Sequence, residues 1–167
     1  GVISRLLANA LGIKNIENYF LSGILHDIGK LYFFHFHRDK YSQAVNYGLE
    51  RGISLSESER RQFGFDHFEI GAAIVKHWGL PDRFADAIIW HKSGHVNGSA
   101  DQFVACLHLA NIISKLLDLG FAGDDTIPRP AEGIWDVLDF PEGELKGLLP
   151  DILKDYEQSV SILLLGD

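Results

Sequence analysis

The 167-residue chain lacks most features that mark secreted, membrane-spanning and nucleic-acid-binding proteins. Its single cysteine, Cys106, excludes an internal disulfide framework and a zinc site built from several cysteines. No uncharged apolar run approaches the roughly 20 residues that cross a bilayer, and the first residues do not form a signal peptide. A net charge of −8 without clustered lysine and arginine argues against binding to a nucleic acid polymer. These absences favour a cytoplasmic protein that contacts no membrane.

Methionine is absent altogether, and the chain begins directly in a helical pattern without an initiator residue. This start predicts a fragment that lacks upstream helices. Hydrophobic residues make up 46% of the sequence, which excludes a disordered tail and suffices for a core. We expect residues 1–167 to form a single helical domain, with residues 121–167 as a C-terminal helical extension.

Apolar residues recur at helical spacing through most of the chain, which predicts an all-α fold, a compact bundle of many helices. The pairs Ser54/Glu57 and Asp66/Glu69 have the spacing of capping boxes and predict helices that begin near residues 55 and 67. Gly29 is expected to interrupt the helix that starts near residue 16.

In the second half of the chain, the sequence pattern predicts fewer and less regular helices than in the first half. Ser99-x-x-Gln102 indicates the cap of a long helix that ends at Gly120, and Asn97-Gly98 is expected in a polar loop, not in a hairpin. Residues 121–131 form the longest irregular stretch. Two prolines, at 141 and 150, are expected to separate three shorter helices: Ile134–Phe140, Glu142–Leu149 and Asp151–Leu165.

The His26-Asp27 doublet carries the first chemical signal. Asp27 falls near the middle of the apolar arc of its helical pattern, and a buried carboxylate requires a cation or several hydrogen-bond donors. The adjacent imidazole and carboxylate can bracket a metal ion, and Lys30, one turn further on, can point at a bound anion. A buried pair that backbone groups and Lys30 satisfy is equally compatible with the spacing alone.

The wider string Gly-Ile-Leu-His-Asp-Ile-Gly-Lys at residues 23–30 is more specific. It resembles the HD superfamily of metal-dependent phosphohydrolases, and most closely its HDOD branch, the HD-related output domains of bacterial signalling proteins. The resemblance spans roughly residues 1–120 in the family's order, and it implies a compact helical bundle. It continues through Leu55–Arg60, Phe63–Gly71, His77–Pro81, Ala87–His91 and Leu107–Asn111.

The resemblance implies roles for particular residues. His26 and Asp27 match the metal-binding doublet, Lys30 the lysine that follows it, and His67 and His91 two further metal-binding histidines of dinuclear relatives. At a helix N-terminus the helix dipole favours the neutral imidazole that His67 needs as a ligand. Without the family, His67 is better interpreted as a partly exposed residue beside a helix cap.

Four departures from the family pattern argue against an active site with two metal ions. No histidine precedes His26, although the superfamily places its first metal-binding histidine upstream. Asn111 stands where the final metal-binding aspartate belongs, and an amide oxygen is a poorer ligand for a hard cation than a carboxylate. Asn111 also lies on the least apolar stripe of its helix. Lys92 replaces a second histidine, and the Gly-Tyr-Pro segment of related phosphodiesterases is absent.

Two functions remain from this comparison. The first is a regulatory output domain with a degenerate metal site, which acts through other signalling proteins or flanking domains. The alternative is a metal-dependent phosphohydrolase or cyclic-dinucleotide phosphodiesterase. In that case His26 and Asp27 hold a divalent transition metal such as iron or manganese, and Lys30 steadies the phosphate. A weaker third hypothesis is a pocket that binds a nucleotide without cleaving it.

Overall fold

Helices form nearly all of the regular structure in the computed structural model, which describes residues 1–140 and 143–165. The all-α prediction is therefore confirmed. No helix in this described part of the chain combines the length and hydropathy of a membrane crossing. The helices are α1 (Val2–Ala10), α2 (Ile16–Leu25), α3 (Ile28–Phe36), α4 (Arg38–Arg51), α5 (Leu55–Phe63), α6 (His67–His77), α7 (Asp82–Trp90), α8 (Gln102–Leu116), α9 (Ile134–Leu138) and α10 (Glu144–Leu165).

Among the described residues, the hydrophobic core has two parts. The larger cluster is built around α8, whose side chains are buried along most of its length between α1, α2 and α7. A smaller cluster of Phe33, Tyr41, Ala44 and Leu55 joins α3, α4 and α5. Because α3 packs on α6 and α6 packs on α7, the helices of the two clusters form one continuous arrangement.

The expected caps of α5 and α6 are present. The Ser54 hydroxyl accepts a hydrogen bond from the Glu57 backbone N–H, and α5 begins directly after it. Asp66 and Glu69 form a complete capping box, in which each side chain accepts from the other residue's backbone N–H. Such caps satisfy N–H groups that a helix start otherwise leaves without partners.

The helix that starts near residue 16 is interrupted and a second short helix follows, as predicted, but the break lies at His26–Asp27 and not at Gly29. Gly29 is the second residue of α3 and does not end a helix. Its lack of a side chain lets α3 approach α6, because a Cβ at this position would lie 2.0 Å from the His67 carbonyl oxygen. Gly29 therefore allows the start of α3 to pass close to α6.

The stretch before α8 folds differently from the expectation. Residues His95–Val96 (β1) and Ser99–Ala100 (β2) pair antiparallel, with Asn97 and Gly98 as the two turn residues. Both turn residues have positive φ, 50° and 79°, as a two-residue hairpin of the primed type requires. The prediction of a polar loop without a hairpin was wrong.

The bounds of α8 also differ from the prediction. Asp101, not Ser99, caps this helix, because its side chain accepts from the Val104 N–H at 3.0 Å while Ser99 lies in the hairpin. The helix ends at Leu116 and does not reach Gly120.

The C-terminal helices were only partly anticipated. One helix, α10, continues through Pro150, where two separate helices were expected. Proline at this position removes one helical hydrogen bond, but α10 packs on α1 and fully buries Ile152, which offsets the loss. The predicted helix Ile134–Phe140 is shorter and ends at Leu138. Pro141 and Glu142, expected at the boundary between helices, lie outside the described residues.

Candidate functional site

His26, Asp27 and His91 converge at three helix ends. His26 follows α2, Asp27 precedes α3, and His91 follows α7. One potential ligand atom from each residue lies within 4.8 Å of the others. The two imidazole rings stand perpendicular, with 5.1 Å between their centroids. The structure thus brings together three of the residues that sequence comparison assigned to the site.

The hydrogen bonds of both imidazoles orient their outer nitrogens. His26 Nδ1 lies 2.8 Å from the Gly23 carbonyl oxygen, and His91 Nδ1 lies 2.8 Å from that of Ile88. A carbonyl only accepts, so Nδ1 carries a proton in each ring, and Nε2 is the nitrogen that faces the cluster. Burial lowers the pKa of His91 to about 3, which keeps that ring neutral. Metal-binding histidines commonly have this arrangement.

His67 is held between two carboxylates. Its Nδ1 lies 2.5 Å from Glu59 Oε2, and its Nε2 lies 3.4 Å from Asp27 Oδ1. Although burial alone lowers the pKa of His67, the hydrogen bonds and charges of these carboxylates raise it above its ordinary value. His67 is only 3% exposed. The expectation of a partly exposed residue was therefore wrong, whereas the role of His67 as a neutral metal ligand stays a prediction.

Glu59 is a site residue that sequence reasoning missed. It lies in a strongly charged run, which is typical of a solvated helix face, yet it is fully buried. Besides the His67 ring, its Oε2 accepts the His67 backbone N–H at 2.9 Å, while Oε1 has no partner among the described residues. One signal was available: Glu59 stands one helical turn after buried Leu55, on the same face of α5.

Asp27 contacts three other charged or titratable side chains of the cluster. Its Oδ2 receives the Lys30 ammonium at 2.6 Å and lies 3.3 Å from His26 Nε2, while Oδ1 faces His67. Burial opposes ionisation, but these neighbours hold the pKa of Asp27 well below its usual range. Lys30 also donates to the Ala122 carbonyl at 2.7 Å. Two of its three N–H groups are thus directed at protein acceptors.

Asn111 lines two adjacent cavities of about 220 and 230 Å³, both of which also contain Asp27 in their walls. The structure therefore places Asn111 near the doublet, as the family pattern implied. Its neighbour on the same stripe of α8, His108, is 1% exposed and was not expected in a structural role. His108 Nδ1 donates to the His91 carbonyl at 2.7 Å, and Nε2 accepts the Ala131 N–H. It thereby supports the backbone at His91.

The donor set fits one divalent cation better than two. His26 Nε2, His91 Nε2 and an Asp27 oxygen provide three ligands of the kinds that zinc, iron and manganese accept. A second ion would need another carboxylate, but Asn111 offers only a neutral amide. The Lys30 ammonium lies 2.6 Å from Asp27 Oδ2 and would compete with any cation for that oxygen.

A helical bundle with a His-Asp doublet at a helix junction, faced by histidines from neighbouring helices, defines the class of HD-related domains. Within this class, the family model of the HDOD domain matches residues 1–93, more than half of the chain. The chain therefore belongs to the HDOD family, as its motifs indicated.

Two relatives agree with this assignment. The chain is similar to the crystal structure of an HDOD domain protein with unknown function from Geobacter sulfurreducens. The TM-score is 0.75 at 26% identity, and the match covers 93% of this chain and 58% of that one. It is also 26% identical over 131 residues to an uncharacterized protein of Treponema pallidum (strain Nichols). That match covers 77% of this chain and a quarter of the relative, so the sequence corresponds to part of a longer protein there.

Proposed function

We propose that this chain is a regulatory output domain that acts through protein partners and does not hydrolyse phosphate esters. The observation that carries the proposal is the Lys30 ammonium, 2.6 Å from Asp27 Oδ2. The chain's own cation neutralises this carboxylate, and Asn111, in place of the family's final metal-binding aspartate, gives a second ion no charged ligand beside it. The compartment that we propose is the bacterial cytoplasm.

The other contacts of Asp27 support a structural role for the doublet. Asp27 joins His26, which follows α2, to Lys30 on α3 and His67 on α6. A partly buried carboxylate with several donors stabilises the junction of these helices, whereas removal of the carboxylate would leave those donors without their acceptor. The doublet thus has a physical reason to persist in a domain without catalysis.

The exposed face of α3 supports an interaction role. Leu31, Phe34 and Phe36 are 62%, 54% and 63% exposed, a high share of apolar surface for one short helix. Exposed apolar surface of this kind often marks a site of protein contact. Because α3 begins next to Asp27, it connects the central cluster directly to this surface. Other signalling proteins or flanking domains of a longer chain are the proposed partners.

The alternative function, a metal-dependent phosphohydrolase or cyclic-dinucleotide phosphodiesterase, is favoured by the convergence of His26, Asp27 and His91. When bound there, iron or manganese would act as a Lewis acid and activate a water molecule. His26 and His91 would hold the ion through Nε2, while their Nδ1 hydrogen bonds keep the rings oriented. Lys30 would then have to leave Asp27 to contact a phosphate.

The test measures metal content and phosphodiesterase turnover in the same samples. Wild type, His26→Ala and Asp27→Asn are compared with His77→Ala, which alters an exposed histidine at the end of α6. Each protein is supplied with Mn²⁺ or Fe²⁺ and assayed on a cyclic dinucleotide and on a nitrophenyl phosphodiester.

We expect no turnover by any of the four proteins. We expect Asp27→Asn to have a lower unfolding midpoint, because it loses contacts at the helix junction. Turnover by wild type and His77→Ala that disappears in folded Asp27→Asn and His26→Ala would contradict the proposal and establish the alternative.

A further inference from the structure

A cavity of about 230 Å³ beside the central cluster is bordered by three lysines. Lys30 enters from α3, Lys92 from the segment after α7, and Lys115 from α8. This concentration of ammonium groups stands out because the whole chain has a net charge of −8. The cavity also receives the hydroxyl groups of Ser54 and Ser56.

Two of the three lysines are neutralised within the protein. Lys30 pairs with Asp27 at 2.6 Å, and Lys115 pairs with Asp124 at 2.8 Å. Each also donates to a backbone carbonyl, that of Ala122 or of Thr126. The two carboxylates in the cavity wall are therefore already matched by cations and do not repel an incoming anion.

Lys92 is different, because within the described residues it pairs with no carboxylate. Its ammonium donates to the Ser54 hydroxyl at 2.9 Å and to the Ser56 hydroxyl at 3.1 Å. An ammonium has three N–H groups, so one is left for a ligand. Its positive charge is left uncompensated, since both of its acceptors are neutral.

The two serines have donor capacity left as well. Their oxygens lie 3.2 Å apart, so one hydroxyl donates to the other, and the hydrogen of the second is not needed for that contact. Ser54 is also the cap of α5, and the positive end of the helix dipole therefore adds to the charge of Lys92. Together these groups present an N–H donor, an O–H donor and net positive charge at one point of the cavity wall.

We infer that Lys92, Ser54 and Ser56 bind the phosphoryl group of a small phosphorylated molecule in this cavity. Phosphate oxygens accept charge-assisted hydrogen bonds from lysine and ordinary ones from serine, which matches the donors present. The inference deepens the proposed regulatory function and rests on it, since the bound phosphate is a signal and not a substrate.

The size of the site limits the ligand. At about 230 Å³ the cavity lies below the roughly 300–1,000 Å³ of pockets that enclose drug-sized ligands, so it suits a small phosphorylated molecule. A wider groove of about 520 Å³ shares Ser54, Ser56 and Lys92 with the cavity. Ile89 and Trp90 line that groove and offer an apolar surface to the remainder of a phosphate ester.

The test is isothermal titration calorimetry of the whole chain with inorganic phosphate and, separately, with adenosine monophosphate. Lys92→Gln removes the charge, and Ser56→Ala removes one hydroxyl. Lys154→Gln is the matched control, because it removes an exposed lysine charge on α10. Lys92 is itself exposed, so Lys92→Gln is expected to keep the wild-type unfolding midpoint.

Wild type and Lys154→Gln are expected to bind at least one of the two probes, and Lys92→Gln to bind it at least about tenfold more weakly. Binding of inorganic phosphate identifies the free ion as a ligand, and binding of the ester alone shows that the groove contributes. Equal affinity in Lys92→Gln and wild type, or no heat with either probe up to about 10 mM, would overturn the inference.

The outcome is separable from that of the proposed function. Release of phosphate from adenosine monophosphate in the same cell would contradict the non-hydrolytic function while leaving the binding site in place. Binding that depends on Lys92, without release, supports both proposals.

Discussion

At the scale of single residues, Gly29 decides how closely α3 and α6 approach. A Cβ at this position would lie 2.0 Å from the His67 carbonyl oxygen and 2.8 Å from the Gly71 backbone nitrogen. Both obstacles are backbone atoms, which cannot rotate away as a side chain does. The close approach also keeps His67 within reach of Asp27, which immediately precedes α3.

We therefore expect Gly29→Ala to lower the free energy of unfolding by about 2–4 kcal/mol through forced separation of the helices. The measurement is urea unfolding followed by circular dichroism. Gly147→Ala is the matched control, because a Cβ at that helical position meets nothing within 4 Å. That control is expected to be neutral or to stabilise by up to about 1 kcal/mol. Similar changes in the free energy of unfolding for the two substitutions would show that the α3–α6 contact does not require glycine at position 29.

At the scale of elements, Asp124 connects the irregular segment between α8 and α9 to the helices α5 and α8. This carboxylate accepts from the Leu55 backbone N–H at 2.7 Å, at the start of α5, and from Lys115 Nζ at 2.8 Å, on α8. It also accepts from Thr126 within the segment. The side chain is 8% exposed, so these bonds are shielded from water.

The same contacts set the acid–base behaviour of Asp124. Burial alone would raise the pKa of this carboxyl group, but the Leu55 N–H, Lys115 and Thr126 bring it below the ordinary 3.8. A carboxyl group whose pKa is lower in the folded state stabilises that state at pH values above its pKa in the unfolded chain. This stabilisation is lost as the pH falls through its pKa in the folded state.

Asp124→Asn is thus expected to destabilise the protein by about 2–3 kcal/mol near pH 7, because charge-assisted hydrogen bonds become neutral ones or are lost. The difference from wild type should stay constant down to about pH 4 and narrow below it. Urea unfolding at several pH values measures this, with the exposed neighbour Asp125→Asn as control. A difference that persists unchanged at pH 3 would rule out ionisation as the cause.

At the scale of the whole molecule, Cys106 reports on the integrity of the core. It lies on the central helix α8, is fully buried, and burial raises its pKa to about 12. Thiol reagents attack the thiolate, so the folded protein offers them neither access nor the reactive form. Labelling then requires an opening of the core.

We expect a disulfide reagent at pH 8 to label the native protein at least about 1,000-fold more slowly than the urea-unfolded chain. Absorbance of the released thiolate follows the reaction. A variant with Cys106→Ala and Ser99→Cys carries its thiol on the exposed hairpin and is expected to react quickly when folded. Rapid labelling of native wild type would mean that α8 is accessible without global unfolding.

The division of residues 1–167 into one domain with an extension from 121 stays a prediction. The family match covers residues 1–93, and α9 and α10 lie beyond it. Because α8 and α9 contribute to the same buried cluster and α10 packs on α1, separation of the extension would expose core side chains such as Ile134 and Ile152.

Local signals along the chain were sufficient for the class of fold and for most helix starts. A cap such as Ser54 or Asp66 bonds to a backbone N–H three residues away, so its effect needs no distant partner. The left-handed Gly52 ends α4 for an equally local reason. The His-Asp doublet was found in the short string at residues 23–30, although the structure places it between α2 and α3 and not on a helix face.

Tertiary contacts decided the remaining features. Glu59 and His108 belong to the site only because other helices bury them and supply His67 and His91 as partners. Gly29 has its role because α3 passes close to α6, and α10 continues through Pro150 while it packs on α1. Lys92 faces two serines about 38 residues earlier in the chain, and no periodic pattern records such a pair. Burial and long-range pairing are properties of the assembled helices, and local spacing carries no information about them.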